Sequence, residues 1–289
     1  MAGERPCACG DRNELPQLVA LSYNLCMSTS GEDKVRLGGM ALENGVLVQG
    51  PTTWACAVRL PSGELRVAAA RKRFRASGVR SPLLRGPARL FEQFSVLPAI
   101  RRALPEARLP FQRRRVRTAL ISSSLAARLL RGSSRLSPLG NELAGTALTI
   151  VPVAMSLRGS QLAAYHGAEH ATIGSYEHDE PRGRVHERCG SNLIASMLAG
   201  SLVANMLASR LPRRARGPAR IAGQFAAVAF SSELLGWALA HPDEPLSRAI
   251  RRPGIELQIH LATAEPSPEQ LEVARAALDA CLELELSED

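Results

Sequence analysis

The protein has 289 residues, of which 45% are hydrophobic and only 4% aromatic, so leucine, alanine and valine must form most of any core. The formal net charge of +9 is carried almost entirely by arginine, which fits a nucleic acid, an anionic membrane surface or a GC-rich genome. The six cysteines form no CxxC pair and no regular spacing, which argues against a disulfide-stabilised secreted domain.

The first 70 residues divide into two parts. Residues 1–36 predict a partly disordered lead-in, since they are polar and lack the apolar stretch of a signal peptide. Residues 37–70 contain short apolar runs separated by Gly-Gly, Asn-Gly, Gly-Pro and Ser-Gly pairs. This punctuation is typical of strands and hairpins, and it predicts a small β-rich unit.

Residues 71–141 form a basic region. Apolar side chains recur in it at helical spacing, as in the run from Leu90 to Ile100, which predicts an amphipathic helix with a basic face. Such a helix fits either an ordinary solvated surface or a membrane surface. Specific nucleic-acid binding is not expected, because the arginines are not interleaved with aromatics and no nucleic-acid-binding motif accompanies them.

Residues 142–241 contain three apolar segments, at 143–157, 190–209 and 221–240. A membrane-spanning helix needs about 20 apolar residues, and the second segment meets that length. The third contains Glu233, an ionisable group in apolar surroundings and therefore a functional candidate. Since small residues favour close packing both in bilayers and in soluble bundles, both interpretations stay open.

The C-terminal segment, residues 253–289, predicts a strand followed by a helix. Apolar residues alternate from Ile255 to Leu261, and Ser267 then provides an N-cap for a helix with Pro268 at its first position. We expect this segment to pack on the β-rich unit. The fold class is therefore predicted as α+β, with a small cytoplasmic β-rich unit built from both ends of the chain and an apolar, membrane-type helical bundle.

The stretch "YHGAEHATIGSYEH", residues 165–178, concentrates half of the chain's six histidines. His166 and His170 are four residues apart and share one face of a helix, where both can bind one metal ion. With Glu169 they form the H-x-x-E-H order of the inverted zincins. In that chemistry the imidazoles hold the metal, most often zinc, and the glutamate transfers protons as the catalytic residue.

The third metal ligand is left open by the sequence. The fold decides which distant group lies near the two histidines, and the available groups are Glu177, Glu233, His186 and Cys189. Tyr176 and His178 are expected to line the same site. A network of polar side chains without metal is the alternative.

Several motifs together resemble the bacterial YqhQ-like family, the domain of unknown function DUF1385. They are "GGMALENGVLVQGPTTWACAVR", "YHGAEHATI…YE", "HERCGS" and "PGIELQIHLATAEP", in the same order from about Gly38 to Leu282. The resemblance implies a metal-dependent enzyme in a multi-pass membrane protein. This chain has Ala171 where the family usually has lysine, and its apolar segments are shorter.

Two functional hypotheses follow. The first is a zinc-type metal-dependent hydrolase in the cell membrane, with an unknown substrate and both termini in the cytoplasm, because the basic linker at 210–220 predicts a cytoplasmic loop. The second is a non-enzymatic membrane or scaffold protein with a structural metal or a polar network. A catalytic zinc site keeps one position open, whereas a structural site fills all four with protein ligands.

Overall fold

The computed structural model describes residues 34–132, 137–158 and 160–287, and these residues form an α+β fold. The α+β class predicted from the sequence is therefore confirmed. The predicted lead-in, residues 1–36, lies outside the described residues except for its last three.

The four described strands form one antiparallel sheet in the order β1-β2-β3-β4. Each strand pairs with its neighbour in sequence, as expected where tight turns separate short apolar runs. Gly63 has a φ of +86° in the turn between the last two strands, a conformation that glycine adopts without strain. The strands are β1 (Gly38–Leu42), β2 (Gly45–Gln49), β3 (Thr53–Arg59) and β4 (Leu65–Arg71).

Helices make up most of the described chain after the sheet. A 3-10 turn, Gly190–Leu193, leads into α6, and a π turn, Gln258–Ala262, follows α8. The helices are α1 (Pro82–Ser95), α2 (Leu97–Ala103), α3 (Arg114–Gly132), α4 (Pro138–Leu157), α5 (Gln161–His178), α6 (Ile194–Ser209), α7 (Arg213–Ala240), α8 (Pro245–Leu257) and α9 (Pro268–Leu286).

The strand predicted from Ile255 to Leu261 is wrong, because these residues continue α8 into the π turn. Apolar residues do alternate there, but the buried positions are Gly254, Gln258 and Ala262, which recur every fourth residue. That spacing belongs to a helix face. The side chain of Gln258 is fully buried and hydrogen-bonded, so a polar residue holds the packed position that the apolar pattern did not reveal.

The sheet separates two apolar cores, one on each face, as the alternation of side chains along strands requires. One face packs against α5 and α9, and its buried residues include Val46, Val48, Ala55 and Ala57. The other face packs against α2 and the segment that follows it, and its buried residues include Leu47, Trp54, Cys56 and Val58. Helices α5 and α9 lie side by side on the first of these faces and pack against each other.

Helix α9 is fixed at both ends. Ser267 caps its N-terminus in a reciprocal capping box with Gln270, as the sequence predicts. Near the other end, the Glu285 carboxylate accepts hydrogen bonds from the backbone of Thr52 and the hydroxyl of Thr53, in the connection between β2 and β3. These contacts join the C-terminal helix to the N-terminal sheet.

Away from the sheet, the helices pack mainly in pairs, α3 with α4 and α6 with α7, while α1 lies on α7. Many large apolar side chains on these helices are exposed. The exposed set includes Leu84, Phe91, Ile121, Leu129, Val151, Met155, Leu207, Phe225 and Phe230.

One stretch of the described residues, Gly190–Ser209, is long and apolar enough to cross a bilayer. A second exists if Leu139–Leu157 and Gln161–His178, which meet at an 84° bend, are counted as one broken span. Length and composition alone do not distinguish such helices from core helices of a soluble protein.

Candidate metal centre

Helix α5 brings two of the predicted ligands side by side. The rings of His166 and His170 have centroids 4.3 Å apart, as the four-residue spacing on a helix predicts. The helix ends at Asp179, whose φ of 56° turns the chain into the following loop. Because α5 packs against both the sheet and α9, its two imidazoles are attached to a largely buried helix.

Both imidazoles are oriented by backbone carbonyls. His166 Nδ1 lies 2.8 Å from the carbonyl oxygen of Ala262, and His170 Nδ1 lies 2.8 Å from that of Arg184. A carbonyl can only accept a hydrogen bond, so each Nδ1 carries the proton. In the neutral form of each ring the lone pair is then on Nε2, and this is how proteins commonly orient histidine for a metal.

The loop after α5 adds a thiol to the two imidazoles. Cys189 Sγ lies 3.5 Å from His166 Nε2, and the ligand atoms of His166, His170 and Cys189 all lie within 4.8 Å of one another. Neighbouring ligands of a tetrahedral zinc ion are separated by about 3.3–3.8 Å, given the usual bond lengths. The three donors thus fit a zinc-type ion after a small contraction.

Cys189 differs from the other described cysteines. Its Sγ accepts a hydrogen bond from the backbone N–H of Ser191 and is partly accessible. Cys56, by contrast, lies in the core, where burial raises the pKa of its thiol to about 12. The thiol of Cys281 is also buried, and it lies against the Thr53 hydroxyl. Only Cys189, among the described cysteines, lies beside the histidines.

Glu169 lies next to these donors but is not one of the mutually close set. Its side chain is buried and makes no hydrogen bond within the described residues. Burial raises the pKa of Glu169 above its ordinary value, and the charges of His166 and His186 partly oppose the shift. Burial therefore favours the protonated form of this carboxyl group.

Two further predicted site residues, Glu177 near the end of α5 and His186 in the following loop, lie next to the donors and contact each other. His186 Nε2 is 3.0 Å from Glu177 Oε2, and its ring centroid is 5.5 Å from that of His170. Burial acts to raise the pKa of Glu177, but the His186 hydrogen bond and the Arg188 charge together lower it. The Oε2 atom of Glu177 is therefore engaged with the His186 imidazole. This contact holds the His186 ring beside that of His170.

Tyr176 and His178, which were predicted to line the site, do not line the cavity that contains the donors. The Tyr176 hydroxyl accepts a hydrogen bond from the backbone N–H of Val35, so it links α5 to the residues before β1. His178 is the exposed last residue of α5. Neither belongs to the group of mutually close ligand atoms.

Glu233 is not brought to the histidines. Arg85 of α1 forms a bidentate salt bridge with the Glu233 carboxylate, donating from two guanidinium nitrogens to its two oxygens. Among the open choices for a third ligand, the structure groups Cys189 with the histidines and leaves Glu233, Glu177 and His186 outside the group. An arginine 148 residues away neutralises Glu233, a partner that the sequence pattern could not identify.

The donors lie in the wall of a cavity of about 680 Å³. His166, Glu169, His170, His186 and Cys189 line one part of it. The remaining wall comes from β1, α1, α6 and α7 and is largely apolar, with Leu90, Leu193, Met197, Val228, Leu235 and Leu239 among its residues.

Three features of the centre escaped sequence analysis. Gly39 of β1 faces Glu169, and a Cβ at this position would collide with the carboxylate. Gln258 accepts a hydrogen bond from the backbone N–H of His186 and so fixes the loop. The carbonyls that orient the histidines come from backbone, which leaves no side-chain signal. The Gly-Gly pair was visible, but it indicated only a turn.

Comparison with known proteins places the centre in a recognised region. Residues 150–284 match the family model described as protein of unknown function (DUF1385). The chain is 35% identical over 129 residues to the uncharacterized protein YqhQ of Bacillus subtilis (strain 168), a match covering 42% of this chain and 40% of that protein. No solved structure matches the chain. The resemblance is confirmed for the region that holds the donors, whereas its predicted extension from Gly38 stays a prediction.

Proposed function

We propose that the chain, whose residues 150–284 match the DUF1385 family model, is a metal-dependent hydrolase, with His166, His170 and Cys189 as ligands and Glu169 as the catalytic residue. The observation that carries the proposal is the pair of Nδ1–carbonyl hydrogen bonds. They fix both imidazoles in the tautomer that binds a metal through Nε2, next to a thiol.

The donor set favours zinc. Two imidazoles and a thiolate combine borderline and soft ligands, which suit zinc better than magnesium or calcium. His166, His170 and Cys189 would hold the ion, which when bound would act as a Lewis acid and lower the pKa of a water molecule. A structural site would need a fourth protein ligand, and within the described residues no fourth group belongs to the close set.

Glu169 performs the proton transfer in this proposal. Its carboxylate accepts a proton from the attacking water and returns it to the leaving group. The raised pKa helps the second step, because burial favours the protonated carboxyl that returns the proton. Gly39 leaves the space that the carboxylate needs between β1 and α5. The apolar cavity wall excludes water from the other side of the substrate.

We further propose that the protein is bound to the cell membrane through its apolar helices. Only 22% of the most apolar window in Gly190–Ser209 is buried, which favours a lipid-facing helix over a soluble core helix. The exposed apolar side chains of α1, α3 and α7 support the same conclusion. The sheet, α5 and α9 would lie together on the cytoplasmic side, next to the arginines of 210–220.

Metal analysis tests the hydrolase proposal. The full chain is purified without added metal, and its metal content is measured by plasma mass spectrometry. We expect one zinc ion per chain, and we expect its loss in His166→Ala and His170→Ala. His178→Ala is the matched control, because His178 lies exposed on the same helix and should not affect the metal.

The same measurement separates the two hypotheses. In Glu169→Gln the metal should stay, because the amide is nearly the same size but cannot transfer the proton, and the rate should fall by about 10²- to 10⁴-fold. If Glu169→Gln releases the metal as fully as His170→Ala, the glutamate is a fourth ligand and the site is structural. If the wild type binds no divalent metal at all, the cluster is a polar network and the proposal is wrong.

A further inference from the structure

The apolar wall of the cavity offers few hydrogen-bonding groups to a ligand. Three polar side chains lie in it, Gln93, Ser191 and Ser232. Gln93 Nε2 donates to the carbonyl of Gly39, Ser191 Oγ to that of Gly254, and Ser232 Oγ to that of Val228. A peptide chain brings an N–H and a C=O with every residue, and burying these groups without partners is costly. The wall therefore suits a hydrocarbon chain better than a peptide.

The edge of β1 also disfavours a peptide as the occupant of the cavity. This strand borders the cavity and is an edge of the sheet, where a peptide would ordinarily add as a further strand. The Gly39 carbonyl already accepts the Gln93 amide at 2.9 Å. A side chain of the protein thus occupies the backbone group that a peptide would need.

The cavity carries a net positive charge at its outer part. Of the two arginines that line it, Arg188 is paired with Glu177 at 3.2 Å. Arg89 of α1 is exposed and forms no hydrogen bond or salt bridge within the described residues, although its charge also helps to lower the pKa of Glu233. The nearby carboxylate of Glu233 is already neutralised by Arg85. Arg89 is therefore available to bind an anion.

We infer that the cavity binds an amphiphile with one long hydrocarbon chain and one anionic head group, such as a fatty-acyl carboxylate or a phosphate. The chain would lie along α1, α6 and α7, and the head group would pair with Arg89. The volume of about 680 Å³ falls in the ordinary range for ligand sites, about 300–1,000 Å³. This inference rests on the proposed function, since it names the substrate class of that site, but binding itself requires no metal.

Photolabelling tests the inference on the full chain in nanodiscs of phosphatidylcholine, with a diazirine derivative of hexadecanoic acid as the probe. Labelled peptides are identified by mass spectrometry. We expect labelling of the peptides that contain Met197 and Leu235, with competition by unlabelled hexadecanoic acid and by hexadecyl phosphate. Competition by only one of them would identify the head group as carboxylate or phosphate.

Two glycines of α7 provide a matched pair of variants. Gly236 lines the cavity and a Cβ added there would meet open space, whereas Gly217 has the same open space but lies outside the cavity wall. Gly236→Phe should reduce labelling of the cavity peptides by about tenfold, because the ring occupies the space of the chain. Gly217→Phe should leave the labelling unchanged.

Charge and metal are tested separately. Arg89→Gln should lower labelling by the anionic probe by about two- to fivefold, the range for a partly exposed ion pair, and should not affect the hexadecanol analogue. Arg101→Gln is the control, an exposed arginine of α2 outside the wall. His166→Ala should lose metal and keep the labelling, so a failure of the hydrolase proposal is distinguishable from a failure of this one.

Two results would overturn the inference. One is equal labelling of the cavity peptides in the wild type and Gly236→Phe, which would mean that the probe reacts from the bilayer. The other is stronger protection by an apolar peptide with blocked ends than by hexadecanoic acid, which would make the occupant a peptide.

Discussion

At the scale of single residues, the centre depends on how each polar side chain is already engaged. His166 and His170 use Nδ1 for backbone carbonyls and keep Nε2 available. Glu177 and Glu233 are engaged with His186 and Arg85 respectively. Hydrogen-bond partners therefore separate potential ligands from groups that merely have the right chemistry.

Glu233→Gln is predicted to keep the full metal content, because Arg85 and not a metal binds that carboxylate. Cys189→Ser is predicted to weaken zinc binding strongly, since a hydroxyl is a much poorer ligand than a thiolate. Metal content after dialysis against a weak chelator measures both. Loss of metal in Glu233→Gln, with retention in Cys189→Ser, would assign the third ligand to α7.

Sequence predicted the part of the centre that is local in the chain. His166 and His170 lie within one helical turn, so their spacing alone brings the rings together. Cys189 comes from a loop whose path depends on Gln258 and the π turn, and the sequence could only name it among four choices. From the sequence, Glu233 was as good a candidate for the third ligand as Cys189, because its partner Arg85 lies 148 residues away and could not be identified.

At the scale of elements, the close approach of β1 to α5 determines where the Glu169 carboxyl lies. A side chain at Gly39 would occupy the position of the Glu169 carboxylate. The adjacent Gly38 has room, since a Cβ there would meet only the end of Gln93, at 3.9 Å. The two glycines share one strand, and so they form a matched pair.

Gly39→Ala is predicted to destabilise the protein by about 1–3 kcal/mol, the usual cost of overfilling a packed site. Gly38→Ala should be neutral or stabilising by up to about 1 kcal/mol, because alanine loses less backbone freedom on folding. Thermal unfolding of both variants in detergent measures the difference. Equal stability of the two variants would show that Glu169 does not pack against β1.

Turn residues and apolar periodicity predicted the helices and strands well where the apolar positions are also the buried ones. The turn pairs between residues 37 and 70 predicted the hairpins, and the sheet is confirmed there. The prediction of a strand at Ile255–Leu261 was wrong because it relied on the positions of apolar residues. The buried residues in and beside this segment are small or polar. A buried glutamine has no hydropathy signal, and only the fold supplies its partners.

At the scale of the whole molecule, apolar surface is distributed unequally. The helices around the sheet cover its two faces, while α1, α3, α4, α6 and α7 carry most of the large exposed apolar side chains. A concentration of exposed apolar side chains on one set of helices favours a membrane or partner contact there.

The protein is predicted to stay with the membrane pellet after a carbonate wash, because apolar contact, unlike charge attraction, does not depend on pH or salt. Detergent should release it. Fractionation of cells expressing the full chain measures both. Recovery in the wash without detergent would contradict membrane burial and favour a soluble helical bundle whose exposed apolar face binds a partner.

The contact of α9 with the sheet has a consequence for protein synthesis. The strands leave the ribosome first, but the core face that they share with α5 is completed by Val273, Ala277 and Cys281, more than 200 residues later. A nascent chain thus carries His166, His170 and Cys189 before α9 is available to pack beside α5. Metal loading is therefore expected to follow translation, and a chaperone that shields the open sheet would have the longest time to act on this segment.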